Sequence, residues 1–559
     1  MKKKIALIAT ISVLSLSGCT FFDKVVGFFK KDKKIDVVVE EPIVRDDETE
    51  EKKQIGEFYG GVVNSGKYVG YEFSKSQSDL VRPTSGVGEI NIVAFNDFHG
   101  SVLEKGYETG LKQLGSYFKT KSKEQNTLIL DQGDTWQGSF ESNYKYGAIV
   151  QDVFNYAGVS LRTLGNHDFD WGLNHLMETN NRKLGDDYIP VLGSNVFDYK
   201  DGRNGKLQQS QYGKEYATFV LDNGIKVGIV GVIGESQITS ICSQLVDTVC
   251  FTNHIQKIKD ISDFLRTDKN CDIVIASTHE SSANMTGYGL AGISPKTNKR
   301  YTDLVLSGHA HYEQEYTENG VKFVQWDSNG ETTGTIKLKY NFATNTVSDN
   351  ETNVSTYNKH YLNVYYPEID STIKKMVDDY IEETEPIASE VLNSNFTGQW
   401  DTSTLGRLMS ESIYNSVKNA GISVDFAVCN YARDSFSSNE FTYGDLYKCF
   451  PFDNQIILMD VSSDRSCNSI SHNQSYREDT SKTPSPGFTY RIAVIDYIGL
   501  HQNENRQYDY FPDATNLEVY KVDGEPLIYR NILKDYLKAN SAATFDASNY
   551  NNSNPHFSF

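Results

Sequence analysis

Five short motifs built from His, Asp and Asn each stand directly after an apolar, strand-like run. This recurrence constrains the fold more than any other feature of the 559-residue chain. The motifs are Asn96-Asp97-Phe98-His99-Gly100, Gly133-Asp134, Gly165-Asn166-His167-Asp168, Thr278-His279 and Gly308-His309-Ala310-His311. Strand-like runs occur at 90–95, 127–130, 226–232, 272–276 and 304–306, with helical patterns between them. That alternation predicts a layered α/β domain, in which strand ends meet at one edge and build a site there. Asp97 and His99 are two residues apart, as are His309 and His311. On an extended backbone each pair points to one side.

The motifs are not a product of composition. Gly-His-x-His is expected about 42 × (11/559)², or roughly 0.016 times, in a chain with these residue counts. Five of the 11 histidines fall in the motifs, beside Asp97, Asp134 and Asn166. His175, His254, His360, His472, His501 and His556 lack such surroundings and read as ordinary structural histidines. Carboxylates, imidazoles and a neutral amide oxygen suit two divalent ions such as Zn, Mn or Fe. A pair of ions about 3.5–4 Å apart needs a ligand that touches both, and a carboxylate has two oxygens for that purpose. Such a pair lowers the pKa of a bound water and neutralises phosphate oxygens during in-line attack.

The net charge, 54 − 74 = −20, repels a phosphate backbone and argues against a nucleic-acid polymer as partner. At the N-terminus, Lys2, Lys3 and Lys4 precede an apolar run at 5–16 that is too short to span a bilayer. Leu16-Ser17-Gly18-Cys19 then resembles a bacterial lipobox, which implies a signal peptide over 1–18 and a lipid anchor on Cys19. The expected location is the extracellular or periplasmic face of the cell membrane. Residues 19–85 read as a membrane-proximal tether, with apolar pairs and lysines suited to a lipid surface followed by a charged, low-complexity stretch. Six cysteines remain beyond Cys19: 242, 250, 271, 429, 449 and 467. They allow three disulfides in any of 15 connectivities, or buried free thiols.

The first folded unit is placed at 86–345. The chain turns polar and irregular near 349–366, and 371–392 reads as a helix with Ile373, Met376, Val377, Tyr380 and Ile381 on one stripe and Pro386 bending or breaking it. Residues 346–391 are thus a linker with a hinge helix, 392–540 a second mixed unit with a polar insertion at 467–486, and 541–559 a frayed tail.

Taken together, the five motifs resemble those of the calcineurin-like metallophosphoesterases. The form that includes Gly133-Asp134-Thr135-Trp136-Gln137-Gly138-Ser139 is similar to the secreted bacterial 5′-nucleotidase/UDP-sugar hydrolase family. The resemblance implies a four-layer sandwich of mixed sheets with flanking helices, a linker helix and a second α/β substrate-binding domain. It implies that Asp97, His99, Asp134 and His311 hold one ion, and that Asp134, Asn166, His279 and His309 hold the other. His167 would be the catalytic acid, oriented by Asp170.

The resemblance extends into the second domain. There it implies that Arg433 grips substrate oxygens, that Phe452 stacks on a nucleobase, and that Tyr497 is the second ring. The chain departs from the family in three places. Cys429-Asn430-Tyr431-Ala432 replaces a Gly-rich loop, 499–508 lacks the usual Gly-Gly-Asp-Gly, and the arginines usual before Leu405 are missing. The implied activity is metal-dependent hydrolysis of nucleoside 5′-monophosphates. The alternatives are a 2′,3′-cyclic-nucleotide phosphodiesterase/3′-nucleotidase, or a non-enzymatic surface lipoprotein that binds nucleotides.

Overall fold

A computed structural model describes residues 53–55, 58–75, 82–185, 187–200, 205–348, 351–503 and 507–559. Cys19 and residues 1–18, read above as a signal peptide, lie outside them. No helix among the described residues is long and apolar enough to cross a membrane.

The five motifs are carried by β1 (Val87–Phe95), β2 (Thr127–Asp131), β3 (Leu161–Thr163), β4 (Ile273–His279) and β5 (Leu304–Leu306). The first three run parallel in a seven-stranded sheet, and the last two run parallel in a nine-stranded sheet. Strand alternation decides how the sheets stack. Ile90, Ile92 and Ala94 of β1 face Ile273 and Ile275 of β4 and Leu304 and Leu306 of β5 in one apolar layer. Val93 and Phe95 point the other way, into helices Leu111–Ser122 and Ala148–Ala157. Val274 and Ala276 face helix His254–Thr267. The result is a four-layer helix–sheet–sheet–helix sandwich whose motif-bearing strand ends converge on one edge.

The second unit is built on a five-stranded sheet with the order Gln474–Tyr476, Phe426–Cys429, Tyr490–Ile495, Ile456–Val461, Thr515–Val519. Helices Thr402–Asn419 and Tyr529–Ala539 pack against it.

Several sequence expectations need correction. The presumed tether contains strands Phe58–Asn64 and Val69–Ser74, and the latter pairs in parallel with Tyr216–Val220 in the nine-stranded sheet. The presumed irregular stretch holds strand Asn353–Asn358, paired to Thr332–Asn341, and helix Lys359–Tyr365. The presumed insertion begins inside helix Asp464–His472 and contributes the sheet-edge strand Gln474–Tyr476. The presumed frayed tail is docked: Phe545 stacks on Phe396 at 5.2 Å, and Tyr550 and Phe557 are buried. The linker helix spans Ser371–Ala388 and buries Ile373 and Val377 in the outer layer of the first domain. Asp370 caps it by accepting from the Thr372 and Ile373 amides, and Pro386 sits within its last turn. No disulfide joins any two of the six described cysteines, so the alternative of three disulfides among them is not met.

Candidate metal centre

The paired ligands do not reach the site from extended backbone. Asp97, His99, Asp134, His309 and His311 all have left-handed φ, between 47° and 72°. This conformation costs a non-glycine residue on the order of 1–3 kcal/mol. Neighbouring loops hold it in place. The Asp97 amide donates to Gly133 O and the His99 amide to Asp134 O, both at 3.0 Å, and the His309 amide donates to Asp97 Oδ2 at 2.8 Å. The expectation of two side chains alternating along a strand is therefore replaced by a tight turn at each motif. Glycine is required where the loops touch: a Cβ on Gly165 would lie 2.2 Å from Asp134 Oδ1.

The side chains converge on two adjoining points. Asp97, His99, Asp134 and His311 form one group, and Asp134, His279 and His309 form another, with ligand atoms in each within 4.8 Å of one another. His99 Nε2 and His311 Nε2 face each other at 3.0 Å, and His311 Nε2 is 3.3 Å from Asp97 Oδ1. His279 Nε2 is 3.1 Å from both Asp134 Oδ2 and Asn166 Oδ1, and His309 Nδ1 is 3.0 Å from the same amide oxygen. Every proposed ligand atom thus points inward.

The far side of two rings fixes their tautomers. His99 Nδ1 donates to Gln137 O and His279 Nδ1 to Gln132 O, both at 2.8 Å, which leaves each Nε2 turned toward the site. Asp97 Oδ1 and Asp134 Oδ2 are buried without a hydrogen-bond donor. Two buried carboxylate oxygens without donors, ringed by imidazole nitrogens, match the needs of divalent cations.

The electrostatics agree. Burial, then the adjacent His311, pushes the His99 imidazole down to about 3; burial, then His279, pushes His309 down to about 4. Both are neutral, the form that ligates. Burial would raise the Asp97 carboxyl, but the His311 and His279 imidazoles outweigh it and hold it at about 2. Burial would lower His279, but Asp134 and Asp97 raise it to about 10. The two carboxylates demand positive charge at that point.

His167 and Asp170 adjoin this cluster. The His167 ring meets Asp170 Oδ2 through Nδ1 at 2.7 Å, and its amide donates to Asp134 Oδ1 at 2.8 Å. Phe452, from the second domain, stacks on the His167 ring with centroids 5.6 Å apart and planes 26° from parallel. Arg433 is exposed, and its charge acts on His99, His167 and Asp170. With His99 and His311 it lines a cavity of about 570 Å³. Tyr497 is half-buried at the rim of the second domain's core, with its ring edge on His501 at 5.9 Å and close enough to Asp170 and Arg433 to interact with them.

Several contributors were not assigned from sequence. Asn96 donates to Asp97 Oδ2 at 2.7 Å and bonds both ways with the Trp326 backbone. Glu280, directly after His279, is a buried carboxylate whose charge acts on His309. Arg162 is fully buried in β3. A charged residue in a short strand otherwise suited to the interior was the available signal for it.

Residues 90–313 match the profile of the calcineurin-like phosphoesterases. Protein UshA of Yersinia enterocolitica is 21% identical over 543 residues, covering 83% of this chain and 92% of that protein. Endonuclease YhcR of Bacillus subtilis is 23% identical over 408 residues, covering 66% of this chain and 32% of that protein. The chain spans between 19% and 39% of the length of the first curated relatives it matches. Among solved structures, the 5′-nucleotidase precursor of Thermus thermophilus superposes with a TM-score of 0.64 at 16% identity, over 81% of this chain and 97% of that one.

Proposed function

With residues 90–313 a calcineurin-like phosphoesterase domain, joined to a second domain in the two-domain fold of 5′-nucleotidases, we propose that the protein hydrolyses nucleoside 5′-monophosphates to nucleoside and phosphate. The carrying observation is the position of His167. It lies between a two-ion donor set and an aromatic ring from the other domain, with Nδ1 held by Asp170 at 2.7 Å.

Asp97, His99, Asp134 and His311 would hold one ion; Asp134, Asn166, His279 and His309 would hold the other, with Asp134 shared. The ions, when bound, supply a nucleophilic water at neutral pH and neutralise phosphate oxygens. The chain's own groups do the rest. Asp170 accepts from His167 Nδ1, which leaves Nε2 free to give a proton to the departing ribose oxygen. Arg433 presents a guanidinium fork to substrate oxygens. Phe452, with Tyr497 on the same domain, offers a ring face to the base, a contact every nucleobase can make.

The test is phosphate release from a panel of 5′-monophosphates, 3′-monophosphates, 2′,3′-cyclic nucleotides and nitrophenyl phosphate. The 5′-monophosphates should be turned over fastest. Preference for the cyclic or 3′ esters would contradict the assignment. In the same assay, Phe452→Ala should raise KM for nucleotides by the roughly 1–3 kcal/mol that one stacked base contributes. The nitrophenyl ester has no base and should be nearly unaffected. Equal weakening of both substrates would reduce Phe452 to a packing residue.

Anchorage is a separate proposal that rests on the sequence at Leu16-Ser17-Gly18-Cys19. A lipid on Cys19 would hold the enzyme at the outer face of the cell membrane, where it meets extracellular nucleotides. Cys19→Ser should then move the protein from the detergent phase to the aqueous phase on partitioning. Unchanged partitioning would refute the anchor.

A further inference from the structure

Arg162 is an arginine with no exposed surface, placed in β3, the last of the three parallel strands that carry metal-binding motifs in the seven-stranded sheet. Burying a guanidinium is unfavourable unless its hydrogen bonds and charge are answered. Here they are answered by two buried aspartates. Arg162 Nε donates to Asp131 Oδ2 at 3.1 Å and to Thr135 Oγ1 at 3.0 Å, and Nη2 donates to Asp168 Oδ2 at 3.1 Å. The guanidinium lies over the Trp136 ring, 3.7 Å from its centroid, and Nη1 has no hydrogen-bond partner.

What the two aspartates do with their remaining capacity gives this arrangement its purpose. Asp131 Oδ1 accepts from the Gly133 amide at 3.0 Å, and Asp131 Oδ2 accepts from the Thr135 hydroxyl. Asp168 Oδ1 accepts from the Thr135 amide at 3.3 Å, and Asp168 Oδ2 accepts from the Gly165 amide at 2.9 Å. Gly133 and Thr135 flank Asp134. Gly165 and Asp168 flank Asn166 and His167. One guanidinium therefore grips two carboxylates that bracket, on both sides, the shared metal ligand and the amide ligand with its neighbouring acid.

We propose that Arg162 is a positioning residue for the metal centre. Its fork fixes the spacing of the Asp134 and Asn166 loops and so sets metal affinity, without contact with metal or substrate. A lysine carries the same charge but cannot span both carboxylates with a planar fork. The inference rests on the metal site assigned above but not on the substrate.

The test is titration of the full-length, metal-stripped protein with Mn²⁺ alone, with the Tm of the metal-free protein recorded alongside. Arg162→Lys should bind Mn²⁺ about 10–100-fold more weakly, the range found when an outer-shell partner of a metal ligand is lost. Thr135→Val removes the hydroxyl shared by Arg162 and Asp131 while leaving every charge paired, so it should stay folded, with a Tm lowered by no more than the loss of a buried hydroxyl's bonds, and weaken binding in the same direction. A folded Arg162→Lys or Thr135→Val protein with undiminished Mn²⁺ affinity overturns the proposal. If Arg162→Lys does not fold, Thr135→Val decides alone. A natural chain that binds no Mn²⁺ overturns this inference together with the metal site, and nucleotide preference enters neither readout.

Discussion

Asp134→Asn is expected to empty the metal centre while leaving the fold in place. Asp134 is the one carboxylate common to both ligand groups, so its charge would serve both ions. The amide that replaces it is neutral, and only one of its two heads can ligate. The loss should exceed the 10–100-fold fall in affinity that follows the loss of an outer partner. Folding should survive because the hydrogen bond from the His167 amide to Asp134 Oδ1, at 2.8 Å, can be kept by the asparagine oxygen. Metal content by elemental analysis should fall below one ion per chain, and phosphate release should fall to background. Two tightly held ions in this variant would remove Asp134 from the shared position.

His167→Asn is expected to fail in the opposite way. Its ring bonds Asp170, and only its backbone amide touches Asp134. Both ions should therefore stay, while turnover drops by a factor on the order of 10²–10⁴, the usual contribution of a positioned acid or base. The defect should be larger for a nucleotide than for a nitrophenyl ester, whose leaving group departs without a proton. Loss of metal in this variant, or an equal defect on both esters, would mean that the ring serves the ions rather than the leaving oxygen.

The clustering of the candidate ligand side chains was legible in sequence because each sits in a two- to five-residue motif at the end of an apolar strand. The backbone that presents the ligands was not. Left-handed φ at Asp97, His99, His309 and His311 is imposed by bonds to residues tens to hundreds of positions away, such as His309 N to Asp97 Oδ2, and no local pattern encodes it. Strand Phe58–Asn64 and the edge strand Gln474–Tyr476 escaped for a related reason. The first has few fully buried positions and two glycines, and the second is three residues long. The docked tail is held by isolated aromatics, Phe545, Tyr550 and Phe557, spaced among Asn and Ser. Trp400 packs on Tyr550 at 5.0 Å and Tyr476 on Phe557 at 5.4 Å, so composition reads as disorder where non-local packing supplies order. Arg162 was missed because its partners, Asp131 at the end of β2 and Asp168 in the turn after β3, lie in separate segments, so the signal of a charge in a short strand had no visible partner.

The central claim is that two ions held by Asp97, His99, Asp134, Asn166, His279, His309 and His311 run the hydrolysis of nucleotide phosphate esters. The most direct test is a metal titration of the chelator-stripped protein against turnover of a nucleoside 5′-monophosphate. The account predicts background activity when stripped, restoration by Mn²⁺, Zn²⁺ or Co²⁺, and saturation near two equivalents per chain. Full turnover from protein shown by elemental analysis to hold less than a tenth of an equivalent of metal would contradict it.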